Sequence, residues 1–162
     1  MKRRILFVCM GNICRSPTAE YVFRKMAEAR GRGDEFETES RGTLHWGGVR
    51  KADRRSIAVA RSRGYDLEPH QARGVQEEDF ADFDLIYAMD RSNLQDLKEE
   101  CPREHRHKLA LFLELAPELG VDEVPDPYQG EAGFERVLDL IETACAALLD
   151  GRARPPAGGP LS

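Results

Sequence analysis

The sequence predicts an α/β fold, a parallel sheet covered by helices on both faces in three α/β/α layers. Three observations lead there. Short apolar runs alternate with segments of helical spacing along the chain. The clearest runs, Ile5-Leu6-Phe7-Val8 and Leu85-Ile86-Tyr87-Ala88, are apolar throughout rather than at every second residue, as in strands buried on both faces. The length of 162 residues suits one hydrophobic core.

Taken in order, residues 3–9 form the first strand and 18–30 the first helix, which stops near Gly31-Arg32-Gly33. Residues 36–40 alternate only weakly and are placed as a short second strand partly on the family resemblance given below. A loop from Gly42 to Gly48 carries His45 and Trp46, and a helix over 53–63 is closed by Gly64. Residues 77–80 make one or two helical turns, 83–88 a third strand, and 92–100 a charged surface helix halted before Pro102. Residues 108–112 make a fourth strand. A helix over 134–149 closes the chain, with Val137, Leu138, Ile141, Cys145, Leu148 and Leu149 along one face. One domain over 1–150 is expected, followed by a disordered tail over 151–162, rich in Pro and Gly.

Composition narrows the function. Apolar residues make 41% and charged residues 33% of the chain, ordinary for a globular protein, and a net charge of −5 argues against a general nucleic-acid binder. No apolar run is long enough for a membrane span. Lys2-Arg3-Arg4 before an apolar run looks superficially like a signal peptide. The run is too short, however, and ends in Gly-Asn-Ile-Cys-Arg instead of a cleavage site. The four cysteines lack zinc-ligand spacing, and no metal or cofactor is expected.

The chemistry concentrates in Cys9-Met10-Gly11-Asn12-Ile13-Cys14-Arg15-Ser16-Pro17, which joins the first strand's carboxyl end to the first helix's amino end. Backbone N–H groups converge in such a loop and the helix dipole adds positive charge, which suits a phosphoryl group. Cys9 has a helix amino end and Arg15 nearby, both of which favour the nucleophilic thiolate. Arg15 offers a planar fork for two phosphoryl oxygens. Gly11 supplies backbone freedom, including positive φ, and Asn12 tolerates the left-handed region. Ser16 is the expected N-cap and Pro17 the first helical residue, and the Ser16 hydroxyl can also hydrogen-bond the Cys9 sulfur. A cysteine and an arginine by themselves read as a small buried side chain and a solvated charge. Gly, Asn, Ser and Pro in this order between a strand and a helix reverse that reading.

At this point the chain resembles a known family. Cys9 to Pro17 is similar to the C-x-G-N-x-C-R-S-P signature of the low-molecular-weight protein tyrosine phosphatases. Asp126-Pro127-Tyr128, Met89-Asp90-Arg91-Ser92-Asn93-Leu94, Ser40-Arg41-Gly42-Thr43 with Trp46, and His70-Gln71-Ala72-Arg73 resemble further blocks of that family, over residues 3 to 149. The resemblance implies a four-stranded sheet in the order 2-1-3-4 and a protein or peptide phosphotyrosine as substrate, hydrolysed through a cysteinyl phosphate. It implies Cys9 as nucleophile, Arg15 as phosphoryl clamp and Asp126 as general acid, with Met10, Gly11, Asn12, Ile13, Cys14, Arg15 and Ser16 around the phosphate. Ile13, Trp46 and Tyr128 would form the pocket, and Ser40, His70, Asp90, Ser92 and Asn93 would brace the loop.

Each role has a plainer alternative. Asp126 before Pro127 is also an ordinary turn residue, Trp46 reads equally as a core ring, and Asp90, Ser92 and Asn93 are explained by helix capping alone. Ile13 sets an apolar side chain where related arginine phosphatases carry threonine, which favours a phenyl ring over a guanidinium. Cys14 either closes a reversible disulfide with Cys9 or is a passive small side chain. A free-thiol nucleophile calls for a reducing, cytoplasmic setting. A monomer or weak dimer is expected, with neither nucleic acid nor membrane as partner.

The chain also departs from the family. Arg50, Lys51, Arg54 and Arg55 bring positive charge beside the pocket, either to steer acidic phosphopeptides or, slightly preferred, as a solvated helix start. Gln129 stands where many members have a second tyrosine, which argues against regulation by paired tyrosine phosphorylation. Two enzymatic alternatives share the fold: a protein-arginine phosphatase and an arsenate reductase. The reductase needs relay cysteines, and Cys101 and Cys145 are poorly spaced for it. A phosphocysteine carrier would lack the Arg15 and Asp126 pair.

Overall fold

A computed structural model describes residues 2–128 and 131–152. Four strands, β1 (Arg3–Cys9), β2 (Phe36–Gly42), β3 (Leu85–Ala88) and β4 (Leu109–Leu111), form one parallel sheet in the order β2-β1-β3-β4. The helices are α1 (Arg15–Ala29), α2 (Arg54–Ser62), α3 (Glu77–Asp82), α4 (Arg91–Glu100) and α5 (Glu131–Ala147).

Alternation along β1 divides the core. Ile5, Phe7 and Cys9 face one apolar cluster with Phe23 of α1 and Leu138 and Ile141 of α5, while Leu6 and Val8 face another with Phe80 of α3 and Leu97 of α4. Both faces of the sheet are therefore covered, which is why β1 reads as an unbroken apolar run. At the centre Phe7 lies edge-on to Phe112 at 5.1 Å between ring centroids. Arg63, at the end of α2, grips Glu135, Asp139 and Glu142 at 2.6–2.8 Å and ties α2 to α5.

Several boundaries differ from expectation. Helix α1 begins at Arg15, so Ser16 is not its N-cap and Pro17 is its third residue. Pro17 is tolerated there because the first N–H groups of a helix have no partner within it. The fourth strand is shorter, since Phe112–Leu115 turns away as a 3-10 segment. The closing helix passes at Leu148 into a π turn that runs to Arg152, whose guanidinium meets Glu118 at 2.8 Å. Gly151 and Arg152 are therefore part of the fold. The expectations for Gln129 and for 153–162 lie outside the described residues.

Candidate active site

All four strands are parallel, so their carboxyl ends share one edge, and β1 leaves the sheet there into the loop before α1. Cys9 pairs in register with Gly42. A Cβ on Gly42 would come within 2.7 Å of the Met10 carbonyl oxygen, so only glycine lets the loop backbone pass so close. Thr43 N–H and Leu44 N–H donate to the Cys9 and Met10 carbonyls at 3.0 and 2.9 Å, and Asp53 N–H donates to Ile13 O at 2.8 Å.

The left-handed residue of the loop is Asn12, with φ 57°, and not Gly11. Asn12 is fully buried. Its Oδ1 accepts from Arg73 N–H at 2.9 Å and its Nδ2 donates to Ser16 Oγ at 2.8 Å. Because Arg73 N–H can only donate, it fixes which end of the amide faces Ser16. The Asn12 N–H points at Cys9 Sγ from 3.2 Å, and Ser16 Oγ lies 3.0 Å from the same sulfur. Ser16 Oγ accepts from Asn12, and its own hydrogen has two acceptors in reach, the Arg41 carbonyl at 3.4 Å and the Cys9 sulfur, to which it donates when that sulfur is a thiolate.

Arg15 is 5% exposed, and its Nη1 donates to Asp90 Oδ2 at 2.7 Å and to Val124 O at 3.0 Å. Burial opposes its charge, but the facing Cys9, Asp90 and Asp126 prevail and raise its pKa above the ordinary arginine value. Asp90 also caps α4, accepting from Asn93 N–H at 2.8 Å while Asn93 Oδ1 accepts from Asp90 N–H. Ser92 is exposed on the first turn of α4 and takes no part in these contacts.

Ser40 and His70 join the loop through a residue the sequence did not single out. Glu20, buried in α1, accepts from Ser40 Oγ at 2.7 Å and stands 3.9 Å from His70 Nδ1. His70 Nε2 meets the Asn12 carbonyl at 2.7 Å. Burial raises the Glu20 pKa and lowers that of His70. Glu20 also pairs with Arg24 one helical turn on, at 2.7 Å, and no local signal in the sequence marks its burial.

A cavity of about 180 Å³ opens above this loop, lined by Cys9, Ile13, Arg15, Trp46, Asp126 and Tyr128 among others. Trp46 is a wall and not a core ring, and its Nε1–H is anchored on the Gly11 carbonyl at 2.8 Å. In the same lining, the Tyr128 hydroxyl donates to Asp53 Oδ2 at 3.2 Å and lies 3.2 Å from Cys14 Sγ. Burial pushes the Cys14 thiol up to about 11, so at neutral pH it is a donor to Tyr128 and not a thiolate. Asp126 is exposed at the mouth, and its Oδ1 accepts from Tyr128 N–H at 3.2 Å. Asp53 was legible only as a helix start; its second oxygen, which reaches Tyr128, was not. The result is an anion cradle with a sulfur at its base, a carboxyl group at its mouth and aromatic walls.

Comparison with known proteins agrees with this arrangement. The family model for low molecular weight phosphotyrosine protein phosphatases matches residues 4–154. A low molecular weight protein-tyrosine-phosphatase of Streptomyces coelicolor is 42% identical over 153 residues, covering 92% of this chain and 93% of its own. The pig low molecular weight phosphotyrosine protein phosphatase is 38% identical, covering 91% and 94%. The crystal structure of an Entamoeba histolytica protein tyrosine phosphatase, with Hepes in its active site, superposes with a TM-score of 0.88 at 39% identity, covering 92% and 96%. On sequence, strand order and superposition alike, the chain is a phosphatase and belongs to the low molecular weight phosphotyrosine protein phosphatases.

Proposed function

We propose that the chain hydrolyses phosphotyrosine on proteins or peptides through a cysteinyl-phosphate intermediate, acting as one catalytic domain that runs to Arg152, without metal or cofactor. In the first step the Cys9 thiolate attacks phosphorus in line with the departing phenolic oxygen. The S–P bond forms, the P–O bond to tyrosine breaks, and Asp126 gives its proton to the leaving oxygen. The loop N–H groups, the amino end of α1 and the Arg15 fork hold the equatorial oxygens as charge redistributes. In the second step water attacks phosphorus and gives a proton to the Asp126 carboxylate. The P–S bond then breaks, and the Ser16 hydroxyl and Asn12 N–H stabilise the departing thiolate. Asn12, Asp90, Glu20, Ser40 and His70 act by holding these groups in position.

The observation that carries this reading is one cavity lined together by Cys9, Arg15, Asp126 and the rings of Trp46 and Tyr128. A narrow aromatic slot suits a phenyl phosphate better than the short alkyl phosphate of serine, and the apolar side chain of Ile13 in the lining disfavours a guanidinium. Arsenate reduction is disfavoured by the remaining cysteines. Cys145 is fully buried in α5, and Cys101 belongs to the apolar cluster on the opposite face of the sheet from Cys9.

Purified protein is to be compared on phosphotyrosine, phosphoarginine and thioredoxin-coupled arsenate. Turnover of phosphotyrosine that vanishes in Cys9→Ser and falls about 10²- to 10⁴-fold in Asp126→Ala is expected. Preferred turnover of phosphoarginine or arsenate, or activity lost to chelators, would overturn the reading.

A further inference from the structure

The positive charge beside the pocket is more organised than a solvated helix start requires. The guanidinium of Arg50 lies 4.0 Å over the ring of Trp46. Trp46 lines the cavity and is fixed to the Gly11 carbonyl, whereas Arg50 stands outside the lining. The Arg50 backbone is itself pinned, its carbonyl accepting from Ala72 N–H at 2.7 Å and the next residue, Lys51, bridging to Gln71. A cation is thus held one ring's thickness from the mouth, and among the described residues its N–H edges meet no acceptor.

The cation beside the other ring shows the contrast. Arg55 lies 4.9 Å over Tyr128, but it is neutralised by Asp53 at 3.2 Å. Among the described residues Arg50, Lys51 and Arg54 take part in no ion pair. This is notable in a chain of net charge −5, where acidic partners outnumber basic ones.

Apolar surface gathers at the same edge. Met10 and Tyr128, each 47% exposed, and the exposed Leu44 line the cavity mouth, while the exposed Val49 immediately precedes Arg50. A free phosphate ester of the size of one side chain has no use for this rim. A polypeptide running across the mouth does.

We propose that Arg50, with Lys51 and Arg54 beside it, forms a rim subsite for a carboxylate side chain flanking the phosphorylated tyrosine, so that the enzyme selects acidic phosphopeptides. The subsite rests on the phosphotyrosine reading above. Arg50 supplies the fixed charge: its planar fork stacks on Trp46 and still offers two N–H groups to a carboxylate. Lys51 and Arg54 add a field that draws acidic chains toward the mouth.

The test uses two phosphotyrosine peptides of equal length, one with glutamate and one with glutamine on both sides of the tyrosine. At low ionic strength kcat/KM is expected to be about 2- to 5-fold higher for the glutamate peptide, the usual worth of an exposed charge pair. The preference should fade toward unity near 1 M salt, where the screening length is only about 3 Å. Arg50→Gln should bring the ratio close to one, and Arg50→Lys should keep part of it. Arg103→Gln removes an equal charge from the 3-10 turn before β4, at the opposite edge of the sheet, and should leave the ratio unchanged. Comparing two peptides within each variant cancels any general loss of activity from a displaced Trp46. Equal rates on the two peptides in the unmutated enzyme, or a ratio that survives Arg50→Gln, would overturn the subsite while leaving the phosphotyrosine reading intact. Failure to hydrolyse either peptide would remove that reading and the subsite with it.

Discussion

Replacing Asn12 separates the backbone of the phosphate loop from its side-chain bonds. Asn12 is the left-handed residue of the loop and is fully buried, with its amide divided between Arg73 N–H and Ser16 Oγ. Alanine at φ 57° meets the steric penalty of the left-handed region, about 1–2 kcal/mol. It also deprives Arg73 N–H and Ser16 of a partner, for about 1–3 kcal/mol, the lower end being appropriate because Arg73 lies near solvent. The sum is about 2–4 kcal/mol, or about 4–16 °C in Tm for a chain of this size. Glycine adopts the same backbone without the steric term, so Asn12→Gly should cost about 1 kcal/mol less than Asn12→Ala. The catalytic loss should be nearly the same for both, because each frees the Ser16 hydroxyl to turn toward the Arg41 carbonyl at 3.4 Å instead of the Cys9 sulfur at 3.0 Å. A hydrogen bond to a charged group contributes about 1.5–3 kcal/mol, so kcat should fall about 10- to 150-fold. Urea unfolding and steady-state turnover of p-nitrophenyl phosphate measure the two effects. Equal stability of the Gly and Ala variants would refute the backbone part. An unchanged kcat in Asn12→Gly would refute the role given to Ser16.

Two further outcomes are expected. Asp90→Asn keeps an acceptor for the cap of α4 but removes the charge facing buried Arg15. It should lower kcat/KM for aryl phosphates by about 10-fold or more while costing less stability than Asp90→Ala, which also loses the cap, worth about 1 kcal/mol. Cys14, held as a thiol with a pKa of about 11, is an acid whose reactive anion appears only as pH rises toward that value. Iodoacetamide at pH 8 should therefore label Cys9 and spare Cys14, as read by peptide mass spectrometry. After peroxide converts Cys9 to the sulfenic acid, the neighbouring Cys14 thiol should condense with it, releasing water; in Cys14→Ser a second peroxide should instead carry Cys9 on to the irreversible sulfinic acid, so that after excess peroxide dithiothreitol restores the wild type and not Cys14→Ser.

Local chemistry was legible in the chain, and long-range partnership was not. The order from Cys9 to Pro17 announced a strand, an anion loop and a helix because each residue type answers a local backbone demand. Even there, the positive φ fell on Asn12 and not on Gly11, because two partners from a distant segment, Arg73 and His70, hold Asn12 together with Ser16 four residues on. Ser16 was drawn from the helix cap toward Cys9 for the same reason. Glu20 and the second oxygen of Asp53 matter through residues 20 to 75 positions away in sequence, a separation that periodicity cannot register. Strand order followed from resemblance, and β4 was overextended because Phe112 is apolar in a strand and in the 3-10 turn that replaces it.

The central claim is that phosphorus passes through a covalent bond to the sulfur of Cys9. Rapid acid quenching during turnover of an aryl phosphate, followed by mass spectrometry of the peptide spanning residues 5–15, tests it most directly. A phosphoryl group on Cys9 is expected, and none on that peptide in Cys9→Ser. A phosphoryl group on any other residue, or turnover by Cys9→Ser without a trapped intermediate, would contradict it.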